Sequence, residues 1–501
     1  MVFVKNSSDY LRYEIEDVLR LFYSTENIIF TDNAPPPRFC GAFFIIEELG
    51  TETAPEFRIV LKTDKIELTK TVSSDMVQAQ IDINEKRRVL KREIKRVIYM
   101  LFSELTGKKL PWGVLTGIRP GKIVLEMMEC GLGREEVLER LQNYYFISYG
   151  KAVLLYGIAK VERSVLKKSP DNTVSVYIGI PFCPTRCLYC SFTSYPINKC
   201  LHLTSKYLDA LKTEISRVGE IIDRKKYKIQ SVYIGGGTPT SLDAQSLASL
   251  FKHIEGSFDL GNIEEYTVEA GRPDSFNAEK LEVIKDSRAS RISINPQTMN
   301  DKTLKLIGRN HTAVDIIEKY YLARKVGFKN INMDIIVGLP GENLDMFANT
   351  LMQIKKLEPE SLTVHTMSVK RASRLNENKK EYDFITSEEA SAMVDMAYET
   401  AGSMGMHPYY LYRQKNMLGN LENIGYCKPG FESIYNVQIM EEKQTIIALG
   451  AGAVTKVVYL DENRIERAFN VKNVEEYINR VNEMIERKNM LLTTLSCLKS
   501  N

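Results

Sequence analysis

The chain has 501 residues, 44% of them hydrophobic and 26% charged. That composition excludes a disordered polypeptide, and at roughly 100–200 residues per domain it leaves room for about three domains. Lys and Arg number 67 against 64 Asp and Glu, a net charge of +3, which lacks the basic excess of a nucleic-acid binder. No apolar run reaches the ~18 residues of a membrane span, and MVFVKNSSDYLRYEIEDV has neither the basic nor the apolar region of a leader. A cytoplasmic protein with reduced thiols is therefore expected.

In chain order, residues 1–170 read as an α+β N-terminal domain of unassigned role. FCGAFFIIEEL and EFRIVLKTD have the β-branched and aromatic content of strands. NEKRRVLKREIKRVIYMLFSEL, residues 84–105, places Val89, Leu90, Ile94, Val97 and Ile98 at helical spacing. Its seven Lys and Arg between 86 and 96 read as a solvated face or as an anion-binding patch, the former preferred. GIRPGK at 117–122 lacks the GxxxxGK[ST] pattern of a phosphate-binding loop. KKSPDNT at 167–173 marks a boundary.

From 171 to 375, six apolar strands alternate with amphipathic helices: VSVYIGI, SVYIGG, EYTVEAG, RISINPQ, NINMDIIVG and SLTVHTMSV. Such alternation implies a parallel sheet covered by helices, here a partial (β/α)6 barrel of the α/β class. In such folds chemistry gathers at the C-terminal ends of the strands. Residues 376–501 are less regular and are expected to cover the substrate; YYLYRQ reads as a strand, LGAGAVTKVVYL is Gly-rich, and a charged helix begins near 472.

Of eight cysteines, Cys183, Cys187 and Cys190 sit within eight residues, on the loop after the first barrel strand. Three thiolates on one loop can converge on a soft metal centre. A structural zinc site would need a fourth ligand at knuckle spacing, and Cys200 is ten residues on. Other strand ends also carry chemistry-bearing residues: the GGGTPT turn after strand two, Glu269 in strand three, Gln297 ending strand four, Arg309 in LIGRNH, and Asp334 inside strand five. A carboxylate in an apolar strand is costly unless it meets a donor.

CPTRCLYC matches the CxxxCxxC motif of the radical S-adenosylmethionine (SAM) superfamily, and YIGIPFC with the following cysteines resembles oxygen-independent coproporphyrinogen III oxidases. PWGVLTGIRPGKI, VHTMSVKRASRL and YYLYRQKNMLGN resemble the HemZ-type coproporphyrinogen dehydrogenase branch. The resemblance implies that Cys183, Cys187 and Cys190 hold a [4Fe–4S] cluster. It implies SAM contacts from Tyr177, Tyr189, Gly236, Gly237, Thr238, Glu269, Gln297, Arg309 and Asp334. It further implies oxidative decarboxylation of coproporphyrinogen III propionates to vinyl groups, in haem biosynthesis, with an external electron donor such as flavodoxin or ferredoxin.

Candidate tetrapyrrole contacts are Lys370, Arg371 and Arg374 after strand six, and Tyr410, Tyr412 and Arg413 in the C-terminal region. The chain departs from the oxidase pattern at Gly179, where the family has His, at Tyr189 for Phe, and at Phe192 for Cys. A haem-binding or haem-transfer protein, and a radical SAM enzyme with another substrate, are the alternative readings.

Overall fold

The computed structural model describes residues 1–32, 41–50, 55–73, 83–117, 119–170, 172–370, 372–377, 381–414, 417–460, 462 and 464–497. The chain divides into two compact units. One comprises Met1–Pro120 with Glu126–Tyr156, and the other Gly121–Leu125 with Gly157–Asn501.

In the first unit, strands β1 (Val2–Asn6), β2 (Ile28–Phe30), β3 (Ala42–Glu48), β4 (Glu56–Lys62) and β5 (Glu67–Ser73) form one sheet, ordered β2-β1-β3-β4-β5. The helix Ile83–Thr106 buries Leu90, Ile94, Ile98 and Phe102. Three of the cations on this helix are paired: Lys91 with Glu14 at 2.7 Å, Lys95 with Asp17 at 2.8 Å, and Arg96 with Glu93 at 2.6 Å.

The second unit is built on one sheet of eleven strands. Its members are β6 (Thr173–Ile180), β9 (Lys228–Gly236), β10 (Glu265–Gly271), β11 (Arg291–Gln297), β12 (Ile331–Val337), β13 (Ser361–Thr366), β14 (His407–Tyr412), β15 (Asn423–Cys427), β16 (Thr445–Leu449), β17 (Val454–Tyr459) and β18 (Arg464–Phe469). The short pair β7 (Phe182–Cys183) and β8 (Tyr195–Pro196) stands apart from that sheet.

Strands β6, β9, β10, β11, β12 and β13 are neighbours in that order and all parallel, which is the expected partial barrel of six βα units. These strands are buried along nearly their whole length, because helices cover one face and the other lines the barrel interior. The intervening helices begin at side-chain caps: Asp243 accepts from the Ser246 N–H, Asn277 from Lys280, Thr312 from Asp315 and Asn343 from Met346. The C-terminal region extends the same sheet at both edges. β15 and β14 add antiparallel beyond β13, while β16 runs parallel to β6 and carries β17 and β18. Among the described residues, no helix is long and apolar enough to cross a membrane.

Candidate active site

The C-terminal end of β6 runs through Pro181 into the short strand β7, whose second residue is Cys183. The glycine-rich turn after β9 is tied to that segment by backbone bonds from Gly237 N–H to Ile180 C=O (2.8 Å) and from Thr238 N–H to Phe182 C=O (2.7 Å). A Cβ on Gly237 would lie 2.6 Å from the Phe182 carbonyl oxygen and 2.9 Å from Cys183 Sγ. Only glycine allows so close an approach of the two loops. Gly236 adopts φ +110°, which L side chains rarely enter.

Cys183 and Cys187 are buried, and Cys190 is half-buried. Burial pushes the Cys183 thiol up to about 11, against the hydroxyl of Thr238, which reaches Sγ at 3.5 Å. Burial raises Cys190 as well. Arg272 Nη1 lies 3.8 Å from Cys187 Sγ. The buried guanidinium of Arg309 adjoins the same thiol and reaches the Tyr189 hydroxyl at 3.4 Å, while its Nε has no partner among the described residues. Three soft donors, with two guanidiniums at Cys187 and a hydroxyl at Cys183, fit a thiolate-bound iron–sulfur cluster, because such donors offset thiolate charge. Among the described residues Cys130, Cys183, Cys187, Cys190, Cys200 and Cys427 are free thiols.

The other expected cofactor residues lie within the neighbouring parallel strands, Glu269 in β10, Gln297 at the end of β11, Asp334 in β12 and Tyr177 in β6. Glu269 receives the Tyr233 hydroxyl at 2.6 Å, and the missing side chain of Gly235 makes room for its carboxylate. Burial raises Glu269 to about 7, the Tyr233 bond opposes the rise, and Asp334 adds to it. Burial also pushes Asp334 upward, but His365, Asn332 and Thr363 outweigh it and hold the carboxyl below the usual range. Asn332 donates to Asp334 at 2.7 Å, and His365 Nε2 stands 3.8 Å from it. Gln297 sits at φ +68°, where the register of β11 against β12 shifts. A second register shift, in β10, falls between Glu269 and Gly271. Bulges of this kind re-aim side chains beside active sites. Tyr177 stacks with Tyr233 and Tyr435, ring centroids 6.2 Å away from each.

The proposed substrate residues separate into two groups. The segment after β13 docks on the cysteine loop: Leu375 N–H donates to Leu188 C=O at 3.0 Å, and Arg186 donates to Ala372 C=O at 2.8 Å. Half-buried Lys370 and exposed Arg374 belong to this segment, while Arg371 lies outside the described residues. The Arg413 guanidinium, in contrast, is buried and donates to the Asn420 carbonyl at 2.7 Å. Tyr410 is buried at the sheet edge, stacked on Tyr412 and pressed against Gly425. The structure therefore does not bring Arg413 to the mouth as an open cation: it is spent on backbone carbonyls that close a turn.

Reading the sequence alone missed Arg272 and His365. Arg272 immediately follows Gly271 at the end of β10, the position at which chemistry was expected, and it also forms a pair with Asp274 at 2.6 Å. His365 is one of five histidines and lies within β13, where its scarcity and strand placement were the available signals.

Residues 177–354 match the family model described as the Radical SAM superfamily. The chain is 40% identical over 490 residues to the oxygen-independent coproporphyrinogen-III oxidase-like protein HemZ of Bacillus subtilis, covering 96% of this chain and 95% of the relative. It is 30% identical over 312 residues to the haem chaperone HemW of the same organism, covering 62% of this chain and 76% of that one. Among solved structures it resembles coproporphyrinogen III oxidase HemN from Escherichia coli, with a TM-score of 0.52 and 20% identity over 65% of this chain and 73% of the other, which shows the fold. The family's cofactors are a [4Fe–4S] cluster and SAM. The chain thus belongs to the radical SAM superfamily, in the family of HemZ and the oxygen-independent coproporphyrinogen III oxidases.

Proposed function

We propose that this chain is a radical SAM oxidoreductase that converts coproporphyrinogen III propionates to vinyl groups without oxygen. Each conversion removes a β-hydrogen atom and CO2 from the substrate and passes one electron to an external one-electron acceptor. The observation that carries the reading is the docking of the segment after β13 on the cysteine loop, through Leu375 N–H to the Leu188 carbonyl and Arg186 to the Ala372 carbonyl; Lys370 and Arg374 belong to that segment. A carboxylate-bearing substrate needs such cations near the reacting centre, and the tetrapyrrole body needs an apolar wall. Partly buried Leu188, Tyr189 and Val369 lie there, packed on the buried core of Ile307, Ile336 and Met367.

The bound cluster and SAM supply one-electron, hydrogen-abstracting chemistry. Cys183, Cys187 and Cys190 hold the cluster. Arg272, Arg309 and Thr238 stabilise the sulfur charge by hydrogen bonding. Glu269 and Asp334 offer carboxylates for an ammonium group, Arg309 offers its unpartnered Nε–H to a carboxylate, and Gln297 presents an amide at the bulge. Tyr177, Tyr233 and Tyr435 line the interior beside Glu269. An external donor such as a flavodoxin or ferredoxin supplies the electron.

Anaerobic reconstitution with iron and sulfide, followed by SAM, dithionite and coproporphyrinogen III, tests the reading. The expected result is 5′-deoxyadenosine together with a vinyl product, and a raised KM in Lys370→Ala. Deoxyadenosine without a vinyl product overturns the substrate, and haem retained without turnover makes the chain a haem-transfer protein.

A further inference from the structure

At the opposite end of the sheet, three side chains with metal-ligand chemistry converge. His407 opens β14 and Cys427 closes β15, and the two residues are direct partners in the antiparallel ladder. Glu432 follows Cys427 by five residues, on the loop leading into the helix Ile434–Glu441. His407 Nε2 stands 3.1 Å from Glu432 Oε1 and 4.0 Å from Cys427 Sγ. The three donor atoms lie within 4.8 Å of one another. A tetrahedral zinc ion with ordinary Zn–N, Zn–O and Zn–S bonds spaces its donors about 3.3–3.6 Å apart, so small rotamer adjustments close the set.

The geometry separates this cluster from a nucleophilic relay. A thiol–imidazole–carboxylate relay uses the two ring nitrogens in series, one toward the thiol and one toward the acid. Here the sulfur and the carboxylate oxygen both address Nε2. Donors gathered around one point are the arrangement of a coordination site.

The surroundings hold the donors in place. Arg291 Nη1 donates to the Phe431 carbonyl at 3.0 Å and to Ser361 Oγ at 3.2 Å. Ser433 Oγ and Ile434 N–H donate to Glu265 at 2.9 and 2.5 Å. Gly430 N–H reaches Glu432 Oε1 at 3.4 Å. The loop bearing Glu432 is thereby pinned on both sides, as a preorganised site requires. Cys427 is fully buried, while the His407 and Glu432 side chains keep 32% and 21% exposure, which leaves a fourth position open to water. Cys427 pairs with Ser361, the first residue of β13, and the cysteine loop lies beyond the other end of that strand. At about 3.3 Å per residue, the strand alone separates the two sites by about 16 Å.

We propose that His407, Cys427 and Glu432 form a binding site for a borderline-soft divalent cation of the Zn2+ class, separate from the cluster. The thiol gives up its proton to solvent as the metal–sulfur bond forms, with no change of oxidation state. Thiolate and imidazole donors select against Mg2+ and Ca2+, which take oxygen ligands. The bound ion clamps β14 to β15 and to the following loop.

The test uses the full-length, cluster-loaded protein, equilibrated with Zn2+, desalted anaerobically and assayed for zinc and iron in the same samples. About one zinc per chain is expected in the wild type, and less than about a tenth of that in Cys427→Ser and in His407→Gln, with iron unchanged in all three. Zn2+ should raise the melting temperature of the wild type only. His407 is partly exposed, so its variant keeps the test open should Cys427→Ser fold poorly. No zinc in the wild type, undiminished zinc in both variants, or zinc that rises only as iron falls overturns the site.

Discussion

Arg272 donates through Nη1 toward Cys187 Sγ at 3.8 Å while the other edge of its guanidinium holds Asp274 at 2.9 and 2.6 Å. Its Nη1 also reaches Thr185 Oγ1 at 2.7 Å and the Thr185 carbonyl at 3.0 Å. One buried side chain thus ties the end of β10 to the cysteine loop. Arg272→Ala leaves Asp274 without that partner, and breaking a buried pair costs about 3–5 kcal/mol. The expected outcome is a lower melting temperature together with reduced iron per chain, both partly restored by Arg272→Lys. Full iron loading in Arg272→Ala would show that the contact does not support the cluster.

Gly237→Ala addresses the close approach of the two loops. Its Cβ would meet the Phe182 backbone oxygen at 2.6 Å, and backbone yields less readily than a side-chain tip. Iron per chain should fall severalfold while the far-ultraviolet circular dichroism is unchanged. Gly256→Ala, inside the helix Ala244–Ser257 with nothing within 4 Å, should keep full iron and gain up to about 1 kcal/mol.

Glu269 predicts a pH dependence. Its folded value is near 7, above the ordinary 4.5, so between those values the folded state holds a proton that the unfolded state has released. Its contribution to the stability of cofactor-free protein is complete below about 4.5 and is lost as pH rises toward 7, by up to about 3 kcal/mol. Urea denaturation across this range should show a shallower decline for Glu269→Gln than for the wild type. Parallel curves would remove Glu269 as the source.

Glu214 and Lys488 form an ion pair at 2.7 Å with both side chains fully buried. Asn470, Tyr477 and the Gly450 N–H complete the carboxylate's partners. Lys488→Met strands that charge and should cost about 3–5 kcal/mol in urea denaturation, whereas pairing it with Glu214→Leu should recover much of the loss. A single variant as stable as the wild type would contradict this.

The sequence by itself determined the six parallel strands, because strands buried on both faces are continuous apolar runs that stand out from their amphipathic helices. EYTVEAG and RISINPQ coincide with β10 and β11, whereas SLTVHTMSV overruns β13 by three residues where the chain turns toward the cysteine loop. The cysteine motif was equally legible, since its ligands are local in sequence. Only the tertiary structure decided what depends on distant pairing. It placed β14–β18 in the barrel sheet, joined Glu214 to Lys488 across 274 positions, committed Arg413 to the carbonyls of its own turn, and set His407 opposite Cys427. Such contacts are set by strand register and long-range packing, which no local periodicity encodes.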